Sequence, residues 1–286
     1  MTERPDGPVL SNPRSDRIRA IRALTGRSVR QRKNRFLIEG PQAVREAVRA
    51  GVTEEILISP AAAQRYPEIA LLARECAAWL RPATAEVVAA ISTDAQGVVA
   101  TAPILAQNLT DLLAKSPRLL VVLHENQDPG NAGTIIRTAD AAGAEAVIMT
   151  RGSVDVFNPK VVRATAGSLF HLPVITDADL ASSIAKIRDG GTQVLGATGA
   201  GRYDLDQLQD ELARVPAQPS LRPSTAWLFG NEARGLDADA LELADATVRI
   251  PIHGAAQSLN LATAAALCLY ASARAQRRER AAKRGA

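Results

Sequence analysis

The sequence predicts an α/β fold in which the carboxy-terminal part contains a mostly parallel sheet and a smaller α/β domain precedes it. Segments with the pattern of buried strands alternate along the chain with segments of helical periodicity, which is typical of this fold class. The clearest strand, RLLVVLHE at 118–125, is a continuous apolar run of the kind that a parallel strand covered on both faces requires. A length of 286 residues fits one large domain or two domains of ordinary size.

The amino-terminal part begins with a helical pattern at 15–24, with Ile18, Ile21 and Leu24 on one face and arginines on the other. The segment RKNRFLIEG at 32–40 indicates a basic turn that enters a short strand. The remaining predicted elements of this part are helices at 42–50, 61–78 and 84–92 and strands at 55–59 and 96–104.

The carboxy-terminal part alternates more regularly. After the strand at 118–125, the pattern predicts helices at 132–142, 159–169, 178–188 and 259–280, a short segment at 172–175, and strands at 146–150, 192–198, 225–230 and 247–252. Ligands of parallel sheets bind outside the carboxyl ends of the strands. We therefore expect the functional residues in the loops that follow Glu125, Ala197, Phe229 and Ile252.

A proline and a polar stretch interrupt the periodicity near 101–118, which indicates the domain boundary. The predicted organisation is a flexible tail at 1–13, an amino-terminal domain at 14–105, a linker at 106–117 and a second domain at 118–286.

Positive charge is concentrated at the two ends of the chain. Residues 1–40 hold ten basic and four acidic side chains, and residues 271–286 hold six and one. The residues between them hold 18 basic and 25 acidic side chains. Basic ends on an acidic body predict a polyanion partner. Solubility alone would explain the same composition equally well.

Other features argue against several classes of protein. Two cysteines, Cys76 and Cys268, are too few for a disulfide framework and fit buried thiols in a reducing compartment. The first residues lack the apolar core of a secretory signal, and no apolar run is long enough for a membrane helix. The three histidines lie far apart without ligand spacing, so we expect no metal site. A cytoplasmic protein without membrane contact is the expectation.

The loop after the strand at 118–125 reads ENQDPGNAG and continues into a helix. Asn131 lies where a helix N-cap is expected, and Arg137 follows six residues later, so both can face one side. An arginine between Ile136 and Ala139 needs an anionic partner. That anion is either a ligand or an internal acid such as Asp140.

Two further loops carry polar residues at strand ends. In GNEARGLD at 230–237, two glycines flank Asn231 and Glu232 without the lysine of a phosphate-binding loop, which suits a nucleoside, although an ordinary turn has the same composition. After 247–252, Ser258 and Asn260 open an Ala- and Leu-rich helix. Ser258 alone is typical of an N-cap, whereas Asn260 is a mediocre helix former. LGATGAG at 195–201 resembles a dinucleotide loop only weakly, because no acidic strand end follows it.

Together, these three loops resemble the three motifs of the SpoU (TrmH-type) RNA 2′-O-ribose methyltransferases, a branch of the SPOUT superfamily. The motifs are Asn131 with Arg137-Thr138-Ala139, then Phe229-Gly230-Asn231-Glu232 with Gly235, then Ile250-Pro251-Ile252 with Ser258-Leu259-Asn260. Residues 158–174 are similar to the family's segment between motifs. Arg35-Phe36 with Glu39-Gly40, and Gln96-Gly97-Val98, resemble the small substrate-binding domain that often precedes it.

The resemblance implies a carboxy-terminal domain with a deep trefoil knot, a rare exception to unknotted topology. It also implies a homodimer through the knot region and the last helix, and S-adenosylmethionine as cofactor. By position, the residues implied to line the cofactor site are Ala197, Gly230, Ile250, Ile252 and Leu259.

The implied reaction is transfer of the cofactor's methyl group to a ribose 2′-hydroxyl. Arg137 is the expected central residue, in an electrostatic and phosphate-binding role, because a guanidinium stays protonated and is a poor base. The other expected catalytic residues, which position the arginine, the ribose or the loops, are Asn131, Glu232, Ser258 and Asn260. The expected contacts to RNA come from Arg27, Arg30, Arg32, Lys33, Arg35 and Arg163.

The two-domain layout favours 23S rRNA as the substrate over tRNA, by analogy alone. A non-catalytic RNA-binding or ribosome assembly factor with the same fold is a further alternative, against which the intact motif residues argue. A nucleotide-dependent oxidoreductase is the remaining interpretation.

Overall fold

The computed structural model describes residues 8–210 and 219–284, with the side chains of 283 and 284 outside that description. The chain divides into two compact units. The first comprises Met1–Leu105 and Asp155–His171, and the second comprises Ala106–Val154 and Leu172–Ala286. The carboxy-terminal part of the chain therefore supplies a segment to the first unit.

Helices and strands alternate along most of the chain. Up to residue 113 they are α1 (Asp16–Arg22), α2 (Arg27–Lys33), β1 (Arg35–Glu39), α3 (Pro41–Arg49), β2 (Glu55–Ile58), α4 (Pro60–Arg65), α5 (Pro67–Glu75), β3 (Leu80–Pro82), α6 (Ala85–Ile91), β4 (Val98–Pro103) and α7 (Leu109–Leu113). The others are β5 (Leu119–Leu123), α8 (Pro129–Ala142), β6 (Ala146–Thr150), α9 (Pro159–Ala164), β7 (Val174–Ala178), α10 (Leu180–Asp189), β8 (Gln193–Ala197), β9 (Tyr203–Asp204), α11 (Leu205–Asp210), β10 (Thr225–Phe229), α12 (Ala238–Glu242), β11 (Ala246–Arg249) and α13 (Leu261–Arg284).

The first unit is built on a four-stranded sheet in the order β1-β4-β2-β3, within the described residues. β4 runs antiparallel to both of its neighbours, and β2 pairs with β3 in parallel. Successive side chains of a strand face opposite sides of the sheet. Phe36 and Ile38 of β1 therefore belong to one apolar cluster and Leu37 belongs to the other. The helices of this unit cover both faces.

The segment Asp155–His171 completes one of these clusters. Phe157 and Phe170 pack against Phe36, with ring centroids 4.8 and 6.3 Å apart, and Val162 of α9 is fully buried in the same cluster. The sequence pattern predicts these residues as part of the domain at 118–286. Their apolar side chains have partners that are more than 100 positions away in sequence, which a local pattern does not reveal.

Two arginines expected to contact RNA have structural partners instead. Arg30 is 2% exposed, and its guanidinium donates to the Asp155 carboxylate and to the carbonyl oxygens of Leu24 and Thr25. Arg163 of α9 pairs with the buried Glu39 carboxylate and lies 2.9 Å from a carboxylate oxygen of Asp94. Arg30 is therefore inaccessible to RNA, and the charge of Arg163 is neutralised within the unit.

Several smaller elements differ from the sequence expectations. The helix expected at 61–78 is two helices, α4 and α5, because Pro67 disfavours helical backbone at Tyr66 and lacks the N–H of a continuing helix. Of the expected tail at 1–13, residues 1–7 lie outside the described residues. Leu10 is hydrogen-bonded to Pro82 and Thr84 beside β3, at 2.9 Å each, so this part is attached to the sheet.

The second unit contains a seven-stranded sheet in the order β7-β6-β5-β10-β8-β11-β9, again within the described residues, and every strand pair in it is parallel. The central strands β5 and β10 are buried along their whole length, as the continuous apolar runs predicted. The strands β5, β10, β8 and β11 are consecutive neighbours. Their carboxyl ends therefore lie side by side at one edge of the sheet.

The long helix α13 is attached to this sheet by buried polar contacts. The indole N–H of Trp227 in β10 donates to the Ser272 hydroxyl at 2.9 Å, and Gln276 donates to the carbonyl oxygens of Arg118 and Pro223 at 2.9 Å each. Burial raises the pKa of the Cys268 thiol on the same helix, whereas Cys76 in the first unit is exposed. Cys268 is therefore a packing residue.

Two kinds of feature are absent from residues 8–210 and 219–284. No helix there is long and apolar enough to cross a membrane, and no group of three or more His, Cys, Asp or Glu side chains is placed to hold a metal ion.

Replacing Arg30 tests its structural role. Arg30→Ala leaves the Asp155 carboxylate and two backbone carbonyls without their donor, and loss of one partner of a buried pair costs about 3 kcal/mol. We expect the first unit of this variant to unfold at a lower urea concentration than that of the wild type, with unfolding measured by circular dichroism. Arg27→Ala, on the exposed face of the same helix, is the control and should change stability by less than about 0.5 kcal/mol. Equal midpoints for the two variants would show that the Arg30 contacts contribute nothing.

Candidate active site

The three polar loops singled out in the sequence follow β5, β10 and β11, and so they meet at the carboxyl edge of the central strands. The loop after β5 holds residues 124–128, the loop after β10 holds 230–237, and the loop after β11 holds 250–260. The amide of His124 donates to the Phe229 carbonyl at 2.8 Å, which fixes the first two loops at the same level. The expectation that these loops assemble one site is consistent with this sheet order.

The Glu232 carboxylate holds the loop after β5 in place. It accepts hydrogen bonds from the side-chain amide of Asn126, from the backbone N–H of Gln127 at 3.2 Å and from that of Asp128 at 3.0 Å. Three donors on one carboxylate make a charge-assisted network. Among the described residues, Glu232 contacts this loop and not Arg137, so it acts on the loop that leads into α8.

Asn126 is the buried centre of this network. The residue is fully buried, and its side-chain oxygen has no partner within the described residues, while its amide nitrogen donates to Glu232. The sequence pattern does not single out Asn126, since no local feature distinguishes an asparagine that is buried after a strand from one in an exposed turn.

The turn after β10 is fixed by its own contacts and by Glu125. Asn231 and Gly235 exchange two backbone hydrogen bonds, of 3.0 and 2.8 Å. The Asn231 side-chain amide donates to the Glu125 carbonyl at 2.8 Å, and the Arg234 guanidinium pairs with the Glu125 carboxylate at 2.6 Å. The loops after β5 and β10 are therefore connected at two levels, by Glu232 and by Asn231 with Arg234.

The helix α8 is capped by Asp128 and not by Asn131, so the expected N-cap is wrong. The Asp128 carboxylate accepts from the Asn131 backbone N–H at 2.6 Å, and Pro129 occupies the first helical position. An acidic cap followed by proline is a strong start signal, and it is the local feature that could have identified this cap. Asn131 therefore lies inside the first turn, where its side chain is available for a tertiary contact.

That contact is with Asn260. The Asn260 amide nitrogen donates to the Asn131 side-chain oxygen at 3.0 Å, across 129 positions of sequence. The Asn260 oxygen accepts from the backbone N–H of Ala262 at 2.9 Å and of Thr263 at 3.3 Å, which makes Asn260 the N-cap of α13. Ser258, which alone is typical of an N-cap, is exposed and has no partner within the described residues.

Arg137 lies in the third turn of α8, outside the buried face formed by residues such as Ile136 and Ala139. It is exposed, and its guanidinium makes no hydrogen bond or ion pair within the described residues. The alternative that an internal acid satisfies this arginine is therefore absent from this part of the chain. An exposed guanidinium that no described residue neutralises can meet an anion from outside the chain.

The residues expected to hold the cofactor form a partly apolar edge with unused backbone groups. Ala197, Ile250 and Leu259 are half-buried, and Ile252 is 39% exposed. Gly230 is buried, and neither its N–H nor its C=O makes a hydrogen bond within the described residues. Apolar side chains next to unpaired backbone donors and acceptors fit a ligand with a flat ring and a polar edge.

Glycine at two positions of this edge is required by close packing of the backbone. A Cβ atom on Gly230 would lie 2.2 Å from the carbonyl carbon and oxygen of Gly235, and one on Gly201 would lie 2.3 Å from the Arg249 nitrogen and the Val248 carbonyl carbon. Side chains at these positions would push the loops apart.

Asp237, the N-cap of α12, adds one titratable group to this edge. Its pKa lies below the ordinary value, chiefly because its carboxylate accepts from the Ala240 backbone N–H, and His124 adds a smaller electrostatic effect. A carboxylate with a lowered pKa contributes to the stability of the fold at pH values above the ordinary aspartate pKa of about 4. This contribution is lost as the pH falls through the pKa of the folded state.

Replacing Glu232 tests its role in fixing the loop. Glu232→Gln removes the charge and presents an amide donor to a site that holds three donors. We expect faster amide hydrogen exchange at Gln127 and Asp128, measured by mass spectrometry, with unchanged exchange in the β5 and β10 strands. Glu242→Gln, at an exposed position of α12, is the matched control. Protection of the 126–128 loop that is the same in both variants would contradict the role assigned to Glu232.

Comparison with known proteins agrees with this geometry. Residues 118–270 match the SpoU rRNA Methylase family, and residues 15–100 match the MRM3-like substrate binding domain. The 23S rRNA (guanosine(2553)-2′-O)-methyltransferase RlmP of Bacillus subtilis is 31% identical over 271 residues, which cover 91% of this chain and 97% of that protein. The 23S rRNA (guanosine-2′-O-)-methyltransferase RlmB of Pseudomonas syringae is 30% identical and covers 93% of this chain and 96% of its own.

Solved structures of RNA methyltransferases are similar to this chain over most of its length. An AdoMet-bound rRNA methyltransferase from Sinorhizobium meliloti superposes with a TM-score of 0.77 at 30% identity, covering 94% of this chain and 98% of its own. The SpoU methyltransferase AviRb from Streptomyces viridochromogenes in complex with AdoMet superposes with a TM-score of 0.76 at 29% identity, covering 93% of this chain and 100% of its own. With its motif residues gathered at one edge of a parallel sheet and a substrate-binding domain ahead of it, this chain belongs to the SpoU rRNA methylase family.

Proposed function

We propose that this protein transfers a methyl group from S-adenosylmethionine to a ribose 2′-hydroxyl of 23S rRNA. The observation that carries the proposal is the assembly of the three loops by Glu232 and by the Asn131–Asn260 pair, at the start of the helix α8 that also carries Arg137. Arg137 is exposed and has no internal partner in the described residues. The relatives that match most of the chain carry this activity in their names.

The cofactor-binding residues we propose are Ala197, Gly230, Ile250, Ile252 and Leu259. The unpaired backbone groups of Gly230 are suited to the polar edge of an adenine, and the half-buried apolar side chains are suited to its faces. When bound, S-adenosylmethionine supplies a methyl group made electrophilic by a sulfonium. The trefoil knot that the family resemblance implies fits the close backbone approaches at Gly201 and Gly230.

Arg137 carries the chemistry in this proposal by stabilising negative charge. In the transfer, the 2′-oxygen forms a bond to the methyl carbon as the carbon–sulfur bond breaks, and the hydroxyl proton leaves to solvent. Arginine stays protonated in proteins, so Arg137 binds the RNA phosphate beside the reacting ribose and stabilises the oxygen as charge develops on it. Its exposure and its freedom from ion pairs in the described part of the chain support this role.

The other motif residues hold the reacting groups in place. Asn260 positions Asn131 by their hydrogen bond, and Glu232 positions the loop that leads into α8. Ser258 is exposed and can donate to a ribose oxygen. Alignment of reactants by groups fixed beforehand is a large part of the rate enhancement in such displacements.

In this proposal, the first unit binds the RNA. Four of the basic residues expected there remain exposed, and we propose that these contact phosphates: Arg27, Arg32, Lys33 and Arg35. Arg30 and Arg163 are left out because internal carboxylates bind them and neither is exposed, whereas Arg35 pairs with Glu54 but is exposed. Phosphate contacts release counterions, so affinity for RNA should fall steeply as the salt concentration rises.

We further propose a homodimer through the knot region and α13, working in the cytoplasm where ribosomal RNA is modified. The apolar side chains of Leu267 and Tyr270 on α13 are 45% and 50% exposed, which is consistent with a covered helix face in a dimer.

The proposed function is tested with the purified protein, tritiated-methyl S-adenosylmethionine and unmodified 23S rRNA. Digestion of the product to nucleosides should yield label in a 2′-O-methylnucleoside. Label in a methylated base, in tRNA only, or in no RNA would contradict the proposal.

Replacing Arg137 tests its assigned role. Arg137→Ala removes the group that stabilises the developing charge, so we expect kcat to fall about a hundredfold or more, with the Kd for S-adenosylmethionine by calorimetry nearly unchanged. Arg188→Ala, which removes a surface pair with Asp245 at the end of α10, is the control. Normal turnover by the Arg137 variant would refute the assignment, and equal loss of cofactor affinity would assign Arg137 to cofactor binding instead.

A further inference from the structure

We propose that a groove in the first unit binds an unpaired nucleotide of the substrate RNA, with the base against the Trp79 indole and the phosphate beside Lys33. The proposal rests on the proposed function, because it names the part of the RNA that this unit contacts. The groove has a volume of about 410 Å³. Small-ligand sites typically have volumes of about 300–1,000 Å³.

The groove has an apolar floor and a charged rim. Ile21 and Leu24 form part of its floor, and Trp79, which directly precedes β3, forms part of its wall. Lys33 at the end of α2 and Arg35 at the start of β1 lie on the rim. These residues come from separate elements, so the groove is a product of the fold and not of one local sequence.

Trp79 provides an aromatic surface that is held in place. The indole is 42% exposed, and the Arg81 guanidinium stacks on it with the guanidinium carbon 3.9 Å from the ring centroid. Arg81 is in turn fixed by Glu55, at 3.0 Å. The guanidinium covers one face of the ring, and Trp79 lines the groove. A rigid, exposed indole is suited to stacking on a base.

The charge at the rim is not balanced. Arg17 and Arg81 pair with Glu55, and Arg35 pairs with Glu54. Lys33 has no carboxylate partner within the described residues, and it is exposed. The other arginines on the exposed side of helix α2 are likewise unpaired in that part of the chain. Within the groove lining, Lys33 is the cation without a carboxylate partner in the described residues, and its charge favours an anion.

A ring surface in the same groove as an unpaired lysine matches the chemistry of a nucleotide. Bases stack on aromatic side chains with little sequence preference, and phosphates bind lysine and arginine. A base within an A-form helix has both faces covered by its neighbours, whereas bases in loops and bulges can be splayed out and stacked on a protein side chain. The groove therefore fits a nucleotide that is unpaired in the substrate.

The first test uses the two tryptophans as reporters. Trp227 is fully buried, so acrylamide quenching of the protein's fluorescence reports Trp79. We expect a short oligoadenylate to protect Trp79 from acrylamide, and an abasic oligonucleotide of equal length to protect it much less. Equal protection by both oligonucleotides, or protection by neither, would overturn the proposal.

The second test uses variants in methyl transfer to unmodified 23S rRNA. Trp79→Ala and Lys33→Ala should each raise KM at least about fivefold, the equivalent of about 1 kcal/mol for one stacked base, with kcat unchanged. Trp79→Phe, which keeps a ring, should retain most of the affinity. Leu71→Ala and Arg65→Ala are matched controls, since both residues are exposed in the same unit outside the groove.

The outcomes separate this proposal from the proposed function. If the wild-type protein methylates no RNA, the proposed function fails. If the wild type is active and the KM values of Trp79→Ala and Lys33→Ala equal those of the controls, only the groove proposal is overturned. An effect seen with assembled ribosomal particles but not with naked rRNA would also overturn it, because the groove would then contact a protein.

Discussion

The carboxylate of Glu232 is the contact on which the site depends, because it joins the loop after β10 to the loop that starts α8. Its three donors come from consecutive residues, Asn126, Gln127 and Asp128, so the whole turn is held and not one side chain. The Asn131–Asn260 hydrogen bond then connects α8 to the start of α13. These contacts connect loops from three strands, and Arg137 follows on α8 with its charge uncompensated by the described residues.

Close packing of backbone is the second constraint. Gly230 leaves no room for a side chain against Gly235, and Gly201 leaves none against Arg249. Backbone groups at such positions can reach a ligand edge directly, which fits the few polar side chains of the proposed cofactor site. The distribution of charged residues along the chain is consistent with this arrangement. The proposed site uses fixed loops and one arginine, and the first unit carries exposed cations that are available for RNA.

Much of the second unit could be predicted from the sequence, because its strands are buried on both faces and their apolar runs leave little choice. The motif residues could be placed at strand ends for the same reason. Helix caps were harder to predict from the sequence. Asp128-Pro129 is a local signal for a helix start, but Asn131 and Ser258 are equally plausible caps until the tertiary contacts are known. The role of Glu232 is a contact across 104–106 positions, and no local pattern encodes it.

The basic segment shows most clearly where sequence reasoning stops. Arg27, Arg30 and Arg32 look alike in sequence, and only the fold buries Arg30 on Asp155 while it exposes the other two. The segment Asp155–His171 likewise packs in the first unit because its aromatic rings meet Phe36, a partner far away in the chain. Sequence therefore predicts which residue types gather at the site, and tertiary packing decides which of them reach a ligand.

The most direct test of the proposed activity is a map of 2′-O-methylation in 23S rRNA from cells with and without the gene. We expect that one 2′-O-methylated nucleotide disappears on deletion and returns when the wild-type gene is restored. An unchanged map, or the loss of a base methylation in its place, would contradict the assignment of ribose methylation to this protein.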